Sequence, residues 1–308
     1  MRFVYLCHGD FGYSGLQHLL SENKFPEYTF IHKRRDKFPE HKKYFDKMDE
    51  LRRLYDFRLI QAETVSDFRK IFSEVDFGIC VGYMEILKDD IFSSPRYGMV
   101  NLHCGKLPDY RGRAPICRAI MNGDENLFMT IHKISSNVDG GDILFEYPIE
   151  INFNDTATCL YNKCCDRTGL ILDEIIELFE KNKDGINKLY KPQSTAKRKP
   201  YLKITDEERK IDFNKNAEDI YNLIRALSPP YPNAFFEFYG RRYFVRNAEF
   251  EQCNKNGNIG LIILSDADKI EVQCNNGIIT LKNIFDEENS RINISDIFLQ
   301  GANINGNN

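Results

Sequence analysis

No run of about 18 apolar residues occurs in this 308-residue sequence, so no membrane-spanning helix is expected. No excess of positive charge occurs either. Lys and Arg number 42 against 46 Asp and Glu, a net charge of -4, which removes the whole-protein basic field of a general nucleic-acid binder. The opening "MRFVYLCHGDFGYSG" turns from a short apolar run to charge and glycine, so it reads as a first strand and turn rather than an export signal. Gly9, Gly12 and Gly15 lack the G-x-G-x-x-G spacing of a dinucleotide loop. Tight strand-to-helix packing is the simpler reading. No G-x-S-x-G elbow presents a serine nucleophile. The nine cysteines (7, 80, 104, 117, 159, 164, 165, 253 and 274) are odd in number and scattered, with no export signal, which argues against a disulfide framework. The one cluster, "CLYNKCC", lacks the Cys-x-x-Cys pairs or nearby His that zinc would want. Those thiols read as small apolar residues on a helix, and no metal is expected.

What is present can fill two domains. Hydrophobic residues at 42% supply a sizeable core. Apolar runs at 2–7, 28–32, 77–83, 97–103, 127–134 and 142–151 read as strands, and 65–75 and 156–185 as helices. Residues 33–57 are highly charged and read as a solvated helix or mobile loop. Alternating strands and helices imply an α/β, Rossmann-like domain with a mostly parallel sheet over 1–187. The stretch 188–205 has prolines, a basic run and little periodicity, and reads as a linker. Within 206–308 an amphipathic helix (217–227) is followed by short strands with turns between them, the pattern of a small β-rich, OB-like barrel. The closing "GANINGNN" reads as a frayed tail.

The chemistry concentrates in "NLHCGKLPDYRGRAP", 101–115. A strand ending there would place Asn101 and His103 at a sheet's carboxyl edge, where open α/β sheets bind ligands. Alternation puts both on one face. An amide can hydrogen-bond a developing oxyanion, and an imidazole can move a proton near neutral pH. Cys104 lies beside His103 but points to the opposite face, which argues against a Cys-His nucleophile. In "SSNVDGGDIL" (135–144), Asp139 either orients the histidine or serves its own Asp-Gly turn; spacing does not choose.

"NLHCGKLPDYRGRAP" followed by "TIHKISSNVDGGDIL" resembles the signature of the 10-formyltetrahydrofolate-dependent formyltransferases. The resemblance continues through "RKIDFNKNAEDIYNLIRALSPPYPNAFFEFYGRRYFV", "IEVQCNNGIITLKNIF" and "SDIFLQG", and so spans nearly the whole chain. It implies a catalytic triad of Asn101, His103 and Asp139, with Asp139 orienting His103 and raising its pKa. It implies N10-formyltetrahydrofolate as co-substrate and no metal. For the folate it implies the loop Glu85, Ile86 and Leu87, together with Arg113 and the turn Ser135, Ser136, Asn137, Val138 and Asp139. Two positions depart from the family pattern: Gly105 stands where serine is usual and Phe128 where glycine is usual. His132 resembles a position that is not catalytic.

Within that family, "PPYPNAF" and "VYLCHGDFGYSGLQHLL" resemble the nucleotide-linked amino-sugar N-formyltransferases, which belong to O-antigen and lipopolysaccharide biosynthesis. The expected acceptor is the primary amine of a dTDP- or UDP-linked amino dideoxy sugar. His8, Phe11, Tyr13, Tyr110 and Arg111 are the candidates to hold its nucleotide. Formylation of methionyl-tRNA is the alternative. It calls for a basic C-terminal domain, yet 206–308 holds 11 Lys or Arg against 16 Asp or Glu. A local stripe of Lys197–Lys199 with Arg241 and Arg242 is the counterweight. A folate hydrolase would be expected to carry a regulatory domain ahead of the catalytic one, whereas the βαβ unit begins at residue 2. A cytoplasmic location, a homodimer by analogy, and neither membrane nor nucleic-acid partners complete the expectation.

Overall fold

The computed structural model describes residues 1–33, 39–194, 199–229, 231–253 and 257–305. Lys197 and Arg198 of the expected basic stripe lie outside them. The chain divides into two compact units. The first comprises 1–112, 127–149 and 161–201; the second comprises 113–126, 150–160 and 202–308.

The first unit is built on a seven-stranded sheet. Its strands are β1 (Phe3–Cys7), β2 (Tyr28–His32), β3 (Leu59–Ala62), β4 (Phe77–Val81), β5 (Met99–His103), β6 (Asn126–Lys133) and β7 (Ile143–Glu150), in the order β3-β2-β1-β4-β5-β6-β7. The first five run parallel, and β6 turns antiparallel to β5. β1 and β4 are buried at every position, which explains their unbroken apolar sequences. The helices up to residue 182 are α1 (Gly9–Ser21), α2 (Pro39–Leu54), α3 (Arg69–Ser73), α4 (Asp89–Phe92), α5 (Pro115–Met121) and α6 (Ala157–Asn182), of which α5 falls in the second unit. β3 was not expected from the sequence.

At the β1–α1 junction the glycines close up strand against helix. A Cβ on Gly12 would lie 2.6 Å from Cys7 Cβ and 3.0 Å from the Val81 carbonyl oxygen. Sheet and helix are then locked by aromatic packing: Phe77 stacks on Phe179 of α6 with ring centres 4.2 Å apart.

The second unit holds a five-stranded antiparallel sheet of β8 (Ala234–Phe238), β9 (Arg241–Gln252), β10 (Ile262–Ser265), β11 (Lys269–Cys274) and β12 (Gly277–Phe285), in the order β10-β11-β12-β9-β8. A short helix α7 (Asp206–Arg209) opens with a Thr205–Glu208 capping box, and α8 (Ala217–Ala226) supplies Ile220 and Ile224 to the core of the sheet. Segments 113–126 and 150–160 group here for specific reasons. Met121 packs on this core. Buried Arg225 donates to the Asp155 carbonyl at 2.8 Å, and the Tyr221 hydroxyl donates to Asn154 Oδ1 at 3.1 Å. The tail departs from expectation up to Asn305: Asn303 pairs with Leu261, and Ile304 is buried.

Gly12→Ala is expected to cost about 1–3 kcal/mol through overpacking of the β1–α1 turn, read as a lowered thermal midpoint. An unchanged midpoint would show that the turn has room to relax.

Candidate active site

β5 carries Asn101 and His103 to the carboxyl edge of the sheet. Across the antiparallel ladder Asn101 faces His132, and His103 faces Thr130. Directly paired residues project to the same face, so one surface collects an amide, two imidazoles and a hydroxyl. Asp139 arrives from the turn between β6 and β7 with φ of 47°, a left-handed backbone that Asp tolerates better than most residues.

His103 is buried, and its Nε2–H donates to the Tyr110 carbonyl at 2.7 Å. A carbonyl can only accept, so this bond fixes the tautomer and turns Nδ1 toward Asp139 Oδ2, 3.8 Å away. The same logic applies to His132. Its Nδ1–H donates to the Lys133 carbonyl at 3.0 Å, which leaves Nε2 to accept from the Asn101 amide Nδ2–H at 3.1 Å. That Nε2 also lies 3.5 Å from Asp139 Oδ1. The Asp139 carboxylate accepts the Gly112 backbone N–H at 2.9 Å. Gly112 has φ of 92°, and a Cβ there would lie 2.4 Å from the Tyr201 carbonyl oxygen, so only glycine fits.

Burial pushes the His103 pKa below 6.5. Asp139 pulls it up, but burial, with help from His132, outweighs that pull. The upward pull expected of Asp139 is present, but the net shift runs downward and favours the neutral imidazole. For Asp139, burial raises the pKa. The His132 contact, the His103 charge and the Gly112 N–H outweigh it and bring the carboxylate from 3.8 to about 2.

The other expected residues have distinct settings. Glu85 follows β4 and accepts from the Thr64 hydroxyl at 2.6 Å, the Val65 N–H at 3.1 Å and the Tyr83 hydroxyl at 3.4 Å. Ile86 is 78% exposed, whereas Leu87 is buried. In the β6–β7 turn the Ser135 hydroxyl donates to the Asn137 carbonyl, and Ser136, Asn137 and Val138 are exposed. Arg113 is exposed and belongs to the second unit. His8 packs its ring on Tyr44 at 5.0 Å. Phe11 and Tyr110 are buried; the Phe11 N–H donates to the Tyr161 hydroxyl, and Tyr110 stacks on Tyr201. Tyr13 is half-buried, with Lys47 Nζ 5.5 Å from its ring centre. Arg111 directs Nε and Nη2 at Gln193 Oε1. Of these residues Tyr110 enters the histidine cluster, through its carbonyl.

Sequence reading gave His132 no catalytic role, without its pairing to Asn101, and did not name Gln193. The pairing of His132 with Asn101 depends on an antiparallel register with no local signal, and Gln193 lies in a stretch without periodicity. Gly105, one of the two departures, is buried, and its carbonyl accepts the Thr130 hydroxyl at 2.8 Å. Phe128, the other, carries Lys106 Nζ 5.0 Å from its ring centre. A hydrogen bond with Cys164 and burial push the Cys104 thiol well above its ordinary pKa, unlike a nucleophile. Among the described residues no group of three or more His, Cys, Asp or Glu could hold a metal ion.

A formyl transferase model matches residues 22–176, and a formyl transferase C-terminal domain model matches 203–302. The methionyl-tRNA formyltransferase of Sulfurihydrogenibium sp. (strain YO3AOP1) is 32% identical over 230 residues, covering 73% of this chain and 72% of that protein. The bifunctional polymyxin resistance protein ArnA of Wigglesworthia glossinidia brevipalpis is 35% identical over 179 residues, 58% of this chain but 27% of that protein. Among solved structures, the N-formyltransferase of Helicobacter canadensis, in complex with folinic acid and dTDP-3-aminofucose, has a TM-score of 0.65 at 19% identity, covering 92% of this chain and 100% of that one. At that identity the likeness speaks for the fold.

Both shifted groups make the fold acid-sensitive. The folded His103 pKa lies below 6.5, so its contribution is complete above pH 6.5 and is lost as pH falls through the folded value. The contribution of Asp139 is complete above about pH 4 and is lost as pH falls toward 2. The urea midpoint should therefore decline below pH 6.5, and Asp139→Asn should remove the step between pH 4 and 2. A step that survives in Asp139→Asn belongs to another carboxylate.

Proposed function

This chain belongs to the formyl transferase family, and from that premise we propose that it moves a formyl group from N10-formyltetrahydrofolate to the primary amine of a nucleotide-linked amino sugar. The observation that carries the reading is the cluster of Asn101, His103 and Asp139 on one edge of the sheet. The catalytic domain is 1–187, joined through 188–205 to a C-terminal domain 206–308, and the enzyme is cytoplasmic and homodimeric.

The folate supplies a formyl carbon, which the neutral amine attacks directly to form a tetrahedral intermediate. Asn101 has two amide hydrogens. One is held by His132 Nε2, which fixes the amide plane and aims the other at the developing oxyanion. Neutral His103 uses Nδ1 to accept the proton the amine must lose, and returns it to N10 as the C–N10 bond breaks. Asp139 stays ionised and faces that Nδ1, so it stabilises the imidazolium while the proton is held. No covalent link to the protein forms.

The folate is held by the segment after β4 and by the Ser135–Asp139 turn, both of the first unit. Glu85 is occupied by its three intramolecular bonds, so it stiffens the loop. Backbone groups of 85–87 and the exposed Met84 and Ile86 side chains are then open to a flat ring. On the acceptor side, Tyr13 and His8 offer ring surface to a base, while the buried Phe11 and Tyr110 contribute packing. Arg111 keeps Nη1 for a phosphate.

The acidic balance of 206–308 favours a small nucleotide-linked acceptor over a polyanion. The relatives at about a third identity favour a second reading, formylation of methionyl-tRNA.

The test is turnover with 10-formyltetrahydrofolate and a panel of dTDP- and UDP-linked 3- and 4-amino sugars beside methionyl-tRNA. One nucleotide sugar should be formylated, with His103→Ala reducing turnover by a factor of about 10²–10⁴ and Cys104→Ser near wild type. kcat/KM should show an acid limb below pH 6.5, the side on which His103 protonates. Product from methionyl-tRNA alone would establish the second reading.

A further inference from the structure

Gln193 lies beyond α6, two residues past Lys191, whose N–H and carbonyl exchange 2.8 Å hydrogen bonds with Ile143 at the start of β7. That bridge delivers its side chain to the β6–β7 turn. Gln193 Nε2 donates to the Asp139 carbonyl at 2.8 Å and to the Gly141 carbonyl at 2.7 Å. Its Oε1 accepts from Arg111 Nε at 3.0 Å and Nη2 at 2.6 Å. A primary amide has two donors and two acceptor sites, so these four bonds use all of it. They also fix its orientation. Guanidinium groups only donate and carbonyls only accept, so a flipped amide would oppose like with like at every contact.

We propose that Gln193 is the positioning residue for Asp139, setting how closely that carboxylate approaches His103, and that glutamine alone meets the demand. The kinetic part of this inference rests on the formyl-transfer reading; the geometric part does not.

Asp139 needs such an anchor. Its backbone is left-handed, and its 3.8 Å separation from His103 Nδ1 is already longer than a hydrogen bond, so a small displacement of the turn decides whether the carboxylate acts on the imidazole. Two adjacent residues hold it from opposite ends. Gly112 grips the carboxylate directly, and Arg111 grips the backbone through Gln193. The turn and the 103–112 loop are thereby one rigid piece, although 54 residues separate Gln193 from Asp139 and 82 separate it from Arg111. Glutamate would satisfy Arg111 but set a carboxylate oxygen against two carbonyl oxygens and add a second negative charge near Asp139. Methionine would lose all four bonds.

The test compares wild type with Gln193→Glu and Gln193→Met in the full chain. The first readout is kcat and KM for the formyl donor. The second is titration of the His103 ring nitrogens by NMR with 15N-labelled histidine, feasible with six histidines in the chain. Asp139 and His132 are the charged or titratable groups acting on that ring. Both variants should lose on the order of 10²-fold in kcat with donor KM near wild type. In Gln193→Met the His103 pKa should fall further as Asp139 drifts from it. Should Gln193→Glu fold poorly, Gln193→Met carries both readouts. A folded Gln193→Met with wild-type kcat and an unmoved His103 titration overturns the proposal, even if its thermal midpoint drops. If wild type formylates no acceptor, the functional reading fails, and the titration alone decides the role of Gln193.

Discussion

An ionised carboxylate enclosed beside two imidazoles is the constraint from which the rest of the first unit's site follows. Burying Asp139 raises its pKa, and an uncompensated buried carboxylate would neutralise. The Gly112 N–H donates to it at 2.9 Å, and ring nitrogens from β5 and β6 lie 3.8 and 3.5 Å from it, placed to set positive charge against the carboxylate when those rings are protonated. Each of those partners imposes its own requirement. The Gly112 N–H reaches the carboxylate only with a left-handed backbone pressed against Tyr201, hence glycine there. His132 reaches it only because β6 reverses direction beside β5. The antiparallel strand at the end of a parallel sheet is therefore a condition of the site's chemistry.

Burial and charge compete differently at His103. A carboxylate 3.8 Å away favours imidazolium, but the ring is enclosed and a second imidazole lies beside it, and those effects prevail. The resulting division of labour suits proton transfer near neutrality. The imidazole starts without the proton, and the charge that would stabilise its protonated form is already in place. A raised pKa would leave Nδ1 blocked at the start. On the proposed reading the Asn101 amide then meets the oxyanion from a plane fixed by His132, so electrostatic stabilisation and proton transfer come from separate groups.

How much was legible in the sequence depended on the range of the interaction. The alternation that puts Asn101 and His103 on one face is local, and so is the loop behaviour of the glycines around them; both could be read directly. The role of Asp139 was not, because an Asp-Gly turn is equally at home with no catalytic partner; it entered through the family signature. The strand Leu59–Ala62 was missed because four residues in a charged neighbourhood carry no periodic signal, and pairing with β2 decides their state. His132 and Gln193 were illegible for a stronger reason. One depends on a strand register and the other on contacts across 54 and 82 residues. The tail was misread because its polar composition hid Ile304, which the second unit buries.

The acceptor is the point at which fold-level likeness stops deciding. A transfer RNA is held mainly through phosphates, and each neutralised phosphate adds to the affinity, so a binding surface for it gains from many basic residues. A nucleotide-linked sugar carries a diphosphate and needs only a few well-placed donors. The first 205 residues hold 31 Lys or Arg against 30 Asp or Glu, and the remainder holds 11 against 16. Much of the C-terminal basic charge is already paired: Lys210 with Glu237, Arg242 with Asp206 and Glu237, Arg291 with Asp268, and Lys282 with Glu249. Even Arg111 of the signature loop commits Nε and Nη2 to Gln193. A chain that uses its cations internally is better matched to an acceptor that asks for few of them.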